Sequence, residues 1–225
     1  MCRFLMVKSR DGILPQTLMA DFAAMCQKSR TLEGYSHGDG WGVALQIKTS
    51  GKQVVWQQYK SLKAIWKDTE GVDKFPKTKL FVVHARSASF SHQKGVIAYN
   101  QPYLSTEYAF VFNGMLNGVN FKKYFPGDIG AQKIWSLVQF QLEKKNPYRA
   151  LKDVNKILKN CTKGIKGMNI GLAGADCLIA LCGEYANSNK FSLKIYDGLD
   201  LKIICSEAIG HYHYKTMEKN EVICL

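Results

Sequence analysis

The chain opens Met1-Cys2-Arg3-Phe4. Removal of Met1 would leave Cys2 with a thiol and a free α-amino group on one carbon. That pair is a catalytic unit, in which the sulfur attacks a carbonyl carbon and the amine carries the proton. An α-amino group titrates near pH ~8, far below a lysine, which suits it to proton transfer near neutrality. Cysteine is also small, as the residue behind a removable initiator methionine generally must be. Thiol attack on an amide needs two more things: donors for the developing oxyanion and groups that hold the substrate. Asn113-Gly114, expected at the end of a strand, offers an amide side chain beside an unshielded backbone N–H. Arg86, expected at the end of another strand, offers a planar fork for a carboxylate. Asp128, near a helix start, offers an acceptor for an ammonium group. Each also has a plainer explanation. Many chains begin Met-Cys, Asn-Gly is a common turn, surface arginines make ion pairs worth little, and aspartates cap helices.

Composition narrows the setting. A chain of 225 residues that is 46% hydrophobic can bury a full core, and no boundary divides it, so we expect one domain over residues 1–225. No run approaches the ~18–20 apolar residues of a membrane span. Charges return by Lys8 and Arg10, which argues against a signal segment. The seven cysteines are odd in number and mostly set in apolar runs. They read as buried free thiols in a reducing, cytoplasmic setting. Their spacing does not match a zinc finger, and His211-Tyr212-His213 lacks a third ligand, so no metal site is expected. The net charge of +13 invites a nucleic-acid reading. The lysines are scattered, however, which favours a solvated basic surface and leaves a basic nucleic-acid-binding domain as a lesser alternative.

The elements that must position these residues follow from periodicity. Cys2 to Val7 reads as a strand. Leu14 to Lys28 has helical spacing, with Leu18, Phe22 and Met25 on one face. The segment Gly34 to Gly42 is rich in Gly, Ser and His. Its part His37 to Gly42 holds three glycines in six residues, which lets the backbone come close to something, such as the chain's own N-terminus. It lacks the phosphate-loop and dinucleotide patterns. Val43–Thr49 and Gln53–Tyr59 read as a hairpin through Ser50-Gly51-Lys52. Strands are also expected at Leu80–His84, Tyr108–Phe112, Asp176–Cys182, Phe191–Tyr196, Leu201–Cys205 and Glu221–Cys224. Ala131–Lys144 and Pro147–Asn160 read as helices. Strands in hairpin-like order around a helical pair argue an α+β layered domain with antiparallel sheets.

The motifs share an order with a known family. Cys2, His-Gly-Asp-Gly-Trp-Gly at 37–42, Val-His-Ala-Arg-Ser-Ala-Ser at 83–89, Gln-Pro-Tyr at 101–103 and Val-Phe-Asn-Gly-Met-Leu at 111–116 resemble the class II glutamine amidotransferases. These are N-terminal-nucleophile hydrolases, and the likeness is strongest to stand-alone amidohydrolase members. It covers about the first 135 residues. The resemblance implies a four-layer αββα sandwich of two antiparallel sheets. It also implies Cys2 as nucleophile, Asn113 and Gly114 as oxyanion donors, Arg86 on the substrate α-carboxylate, Ser89 as an assisting hydroxyl, and Asp128 on the α-ammonium. The substrate would be glutamine or a γ-glutamyl amide, cleaved through a Cys2 thioester without a cofactor. Ammonia would be released or passed to a separate synthase subunit. Two departures alter the pocket wall. Phe112 stands where the family's oxyanion triplet carries His, and Gln101-Pro102-Tyr103 stands where relatives often carry His-Pro-Phe. A catalytically silent relative, acting as a binding or regulatory subunit, is the alternative those departures raise.

Overall fold

Phe4, Leu5, Met6 and Val7 are all fully buried, so both faces of the strand they form are covered. Alternation splits them: Leu5 and Val7 join a core beneath the first helix, while Phe4 and Met6 join a second core between two sheets. This is the central observation of a layered fold, described for residues 2–29, 36–49, 53–174 and 177–225 of a computed structural model. The predicted turn at Ser50-Gly51-Lys52, Gly34-Tyr35 and Asp176 fall outside the described residues.

In chain order the strands are β1 (Arg3–Ile13), β2 (Trp41–Lys48), β3 (Val54–Ser61), β4 (Thr78–Ala85), β5 (Tyr103–Leu104), β6 (Tyr108–Val119), β7 (Thr162–Gly174), β8 (Cys177–Tyr185), β9 (Lys194–Asp197), β10 (Leu201–Cys205), β11 (Lys215–Thr216) and β12 (Glu221–Cys224). The helices are α1 (Gln16–Gln27), the single turn α2 (Thr69–Val72), α3 (Gly130–Leu142), α4 (Pro147–Cys161) and the short α5 (Ser188–Phe191). A seven-stranded sheet runs β11-β9-β10-β1-β4-β2-β3, and a five-stranded sheet runs β12-β8-β7-β6-β5. The pairings are antiparallel throughout.

The layers follow from which face each apolar stripe covers. Leu18, Phe22 and Met25 of α1 pack with Val43, Phe81 and Val83 on the outer face of the larger sheet. Ile134 and Val138 of α3, with Leu151 and Val154 of α4, pack against Phe110, Ile170 and Leu181 on the outer face of the smaller one. Phe4, Met6, Val82, Val111, Ala173 and Ala180 fill the space between. The fold is the expected αββα sandwich. Pro147 opens α4, where its missing N–H costs nothing, and the Asn146 side chain accepts from the Arg149 N–H at 3.0 Å. Among the described residues, no helix is long and apolar enough to cross a membrane.

β1 runs on past Val7 to Ile13, and Phe191 closes the short α5, so that β9 starts only at Lys194; two further departures bear on the site. β6 does not end at Phe112 but continues through Asn113-Gly114 to Val119, so the Asn-Gly pair lies inside a strand rather than at its end. β7, a thirteen-residue strand at the centre of the smaller sheet, was not foreseen. Its glycines depress strand propensity, yet they are there to admit neighbours: a Cβ on Gly167 would sit 2.0 Å from the Phe191 ring.

Candidate active site

The N-terminal segment is tied down residue by residue. Arg3 is completely buried. Its Nε lies 3.3 Å from Glu207 Oε2, its Nη2 donates to Ser29 Oγ at 3.4 Å, and the Ser29 hydroxyl donates to the same carboxylate oxygen at 2.8 Å. The remaining Arg3 nitrogen, Nη1, donates to the Cys2 carbonyl at 3.3 Å. A charge pair buried this deeply holds only when its spare donors are also used, and here one of them grips the backbone of Cys2. One residue on, the Phe4 N–H donates to Ser206 Oγ and the Phe4 carbonyl accepts from the Ser206 N–H, both at 3.0 Å. The half-buried Cys2 thiol is directed at the Ser87 carbonyl, 3.8 Å away.

Beyond β4 the chain enters the loop 86–89, which is stapled to the glycine-rich segment. The Arg86 N–H donates to the Gly40 carbonyl at 2.8 Å, and the Arg86 carbonyl accepts from the Asp39 N–H at 3.0 Å. The Asp39 carboxylate accepts from the Ala88 N–H at 2.9 Å and lies 3.2 Å from Lys94 Nζ. The close approach of residues 37–42 thus serves the Arg86 loop, which in turn meets Cys2 at Ser87. The Arg86 side chain is buried. Its Nη2 donates to the Gln93 carbonyl at 2.7 Å, and the guanidinium lies 5.6 Å from the centre of the Tyr99 ring. Nη1 is buried with no partner. A guanidinium nitrogen taken out of water without an acceptor is costly, and a substrate carboxylate would relieve that cost.

The opposite wall is β6. Its Phe112 N–H donates to Gln101 Oε1 at 2.6 Å, and Gln101 Nε2 donates to the Phe112 carbonyl at 3.4 Å. The Gln101 amide therefore stands in for a neighbouring strand at this point of the sheet. The two departures from the family pattern, Gln101 and Phe112, meet here. Next along, Asn113 is fully buried on the face toward the other sheet, and its Nδ2 donates to Ser206 Oγ at 3.4 Å. Ser206 thus joins the strand that follows Cys2 to the strand of the oxyanion candidates. Gly114 has no room for a side chain, since a Cβ there would lie 2.1 Å from the Gly167 carbonyl oxygen. The β6–β7 register shifts immediately afterwards, between Met115 and Leu116. Such bulges re-aim a strand beside a site.

His84, on β4 facing the space between the sheets, is fully buried. Burial first, and then the nearby Arg86 charge, push its pKa down to about 3. The ring is neutral at physiological pH.

These walls enclose a cavity of about 370 Å³. Of the residues singled out in the sequence, it brings together Cys2, Arg86, Ser89 and Gly114. Asn113 lies behind the wall. Asp128 is exposed and outside the lining, although the two residues after it, Ile129 and Gly130, belong to it. Asp128 is not the helix cap either: α3 begins at Gly130, and Gln132 Oε1 accepts from the N–H groups of Asp128 and Ile129. Sequence reasoning missed Arg3, Ser206 and Glu207 as parts of the site, and it placed Gln101 in the pocket wall without foreseeing its grip on the Phe112 backbone. Arg3 was visible as the neighbour of Cys2. Nothing in the spacing marks a Ser-Glu pair some two hundred residues away. Among the described residues, no group of three His, Cys, Asp or Glu side chains is placed to hold a metal ion.

The αββα sandwich is a fold shared with solved class II glutamine amidotransferase domains. A glutamine aminotransferase class-II domain protein from Silicibacter pomeroyi superposes with a TM-score of 0.67 at 13% identity, over 99% of this chain and 94% of that one. Glutamine phosphoribosylpyrophosphate amidotransferase from B. subtilis, solved with ADP and GMP, superposes with a TM-score of 0.66 at 14% identity. That match takes in 99% of this chain but only 47% of the other, so this chain spans about half of that enzyme. No family model and no curated protein sequence matches the chain.

Proposed function

We propose that this protein is a glutaminase-type amidohydrolase whose nucleophile is Cys2, exposed by loss of Met1. The observation that carries the reading is the shared cavity. A thiol, a buried guanidinium with an unused donor, and a strand glycine with no side chain line one enclosure.

In this reading the substrate's α-carboxylate binds Arg86 Nη1. The Cys2 sulfur attacks the side-chain amide carbon, and the Cys2 amine takes the thiol proton. The Gly114 N–H receives the oxyanion, while the Asn113 amide, held behind the wall on Ser206, joins it only by turning into the cavity, and Ser89 supplies a polar contact at the rim. Removing one such donor costs roughly 10²–10³ in rate. Collapse of the tetrahedral species breaks the C–N bond, and the amine returns the proton to the leaving nitrogen. Water then cleaves the γ-glutamyl thioester. Asp128, outside the lining, is left with the weakest hold, on the substrate ammonium.

The other thiols are poor competitors where they are buried. Burial pushes Cys205 up to about 12 and Cys182 up to about 11, and raises Cys26 as well. A glutamine-like diazo-ketone tests the assignment. One covalent adduct on Cys2, absent from Cys2→Ala, is expected by peptide mass mapping, together with ammonia release from an amide substrate. An adduct elsewhere, or none on protein whose Met1 has been removed, overturns the reading.

A further inference from the structure

The cavity lining carries two kinds of chemistry. Cys2, Arg86, Ser89 and Gln93 are polar, while Leu116, Val119, Phe121, Ile129 and Ile134 are apolar, and Leu116, Phe121 and Ile134 pack in one cluster that serves as its apolar end. A volume of about 370 Å³ lies within the roughly 300–1,000 Å³ of pockets that enclose drug-sized ligands, and free glutamine would leave the apolar end unfilled. Lys133 lines the cavity beside that end, and it forms no ion pair among the described residues. The first turn of the thirteen-residue α3, at Ile129 to Ala131, borders the same region. Its positive end adds to the preference for an anion there.

From this we infer that the substrate is a γ-glutamyl amide of an apolar amino acid, with the apolar side chain against Phe121 and Ile134 and its carboxylate toward Lys133. The inference rests on the hydrolase reading above and specifies the leaving group. A glutamyl unit anchored at Arg86 places its side-chain carbonyl by Cys2, so whatever is attached to the amide nitrogen continues into the apolar end. The chemistry balances as a hydrolysis. The C–S bond forms as the C–N bond breaks, and the amino acid leaves with the proton carried by the Cys2 amine. Water then releases glutamate and restores the thiol.

Binding to Cys2→Ala, followed by calorimetry, separates this inference from catalysis. γ-Glutamylphenylalanine is expected to bind about tenfold or more tightly than glutamine, the scale on which an apolar pocket discriminates. Lys133 is partly exposed, so Lys133→Gln leaves the fold intact. It is expected to weaken binding of γ-glutamylphenylalanine about three- to fivefold, and to have no such effect on the corresponding C-terminal amide. Equal or weaker binding of the conjugate, or a Lys133→Gln loss that is the same for acid and amide, overturns the inference. Neither of those results bears on glutamine hydrolysis or Cys2 labelling by the unaltered protein. Failure of both of those activities overturns the hydrolase reading instead.

Discussion

The two walls of the cavity are built by different physics. On the larger sheet, the proposed nucleophile and carboxylate clamp are held by charge: the buried Arg3–Glu207 pair behind Cys2, and the half-buried Asp39 with the backbone behind Arg86. On the smaller sheet, the proposed oxyanion strand is held by neutral amides and by the absence of side chains: Gln101 on the Phe112 backbone, and Gly114 against the Gly167 carbonyl. Charge sets position strongly but fails badly when one partner is lost. Close backbone packing tolerates changes of charge and fails when volume is added. Ser206 touches both systems, through Phe4 and through Asn113.

The sharpest way to break the contrast is Glu207→Ala. It leaves the Arg3 guanidinium, with no exposed surface, short of its carboxylate. Removing one member of a buried pair costs about 3–5 kcal/mol. Urea unfolding should show a loss of that size, with the proposed Cys2 reactivity falling alongside it. A loss under about 1 kcal/mol would place the pair with ordinary surface bridges and remove the distinction between the walls.

Acid is the next probe, because His84 lies between the sheets beside Arg86. The unfolded chain protonates this imidazole near its ordinary value of 6.5, and the folded chain only near about 3. Between those values the unfolded state holds more protons, so stability rises with pH and is lost as pH falls from 6.5 toward 3. His84 is fully buried, with Arg86, His37 and Lys60 contributing unfavourable charge. At pH 4.5 the linked loss is about 2.5 kcal/mol relative to pH 7. His84→Asn should lack that part of the decline in denaturation curves taken at both values. Parallel declines in the two proteins would show that the imidazole is protonated within the fold.

The same contrast governs what could be read in advance. The larger sheet was legible because the apolar stretches of β1, β2 and β4 announce strands, although β1 runs on through polar residues to Ile13, past the expected end at Val7. Cys2 and Arg86 stood out against them. The smaller sheet was half hidden. The glycines that let β7 pack against Phe191 remove the propensity signal that would announce a strand. Asn113-Gly114 looked like a strand end because the pair is a favoured hairpin turn, yet here its glycine lets β6 pass close to β7. Asp128 was chosen by its place in the chain order, and the exposed position it occupies depends on a loop path that no local pattern encodes. Ser206 and Glu207 reach the site only because β10 lies beside β1, a pairing of the chain's two ends that spacing cannot show.

Gln101 offers the smallest effect and the finest test, because it asks whether the amide wall positions the oxyanion strand or merely fills space. Gln101→Leu keeps the volume but strands the Phe112 N–H and carbonyl, both in a buried setting. The cost is about 2 kcal/mol. A space-filling role predicts nearly wild-type stability for that variant. Gln101→Glu divides the two hydrogen bonds. An ionised carboxylate still accepts from the Phe112 N–H but has no donor for the Phe112 carbonyl, and protonation restores that donor. If the amide positions Asn113 and Gly114, the proposed turnover of Gln101→Glu should rise relative to wild type as pH falls toward the carboxyl's own titration, with kcat moving more than KM. A ratio of the two proteins that stays flat with pH would mean that the strand holds its place without the amide, and that volume alone is enough on this side of the cavity.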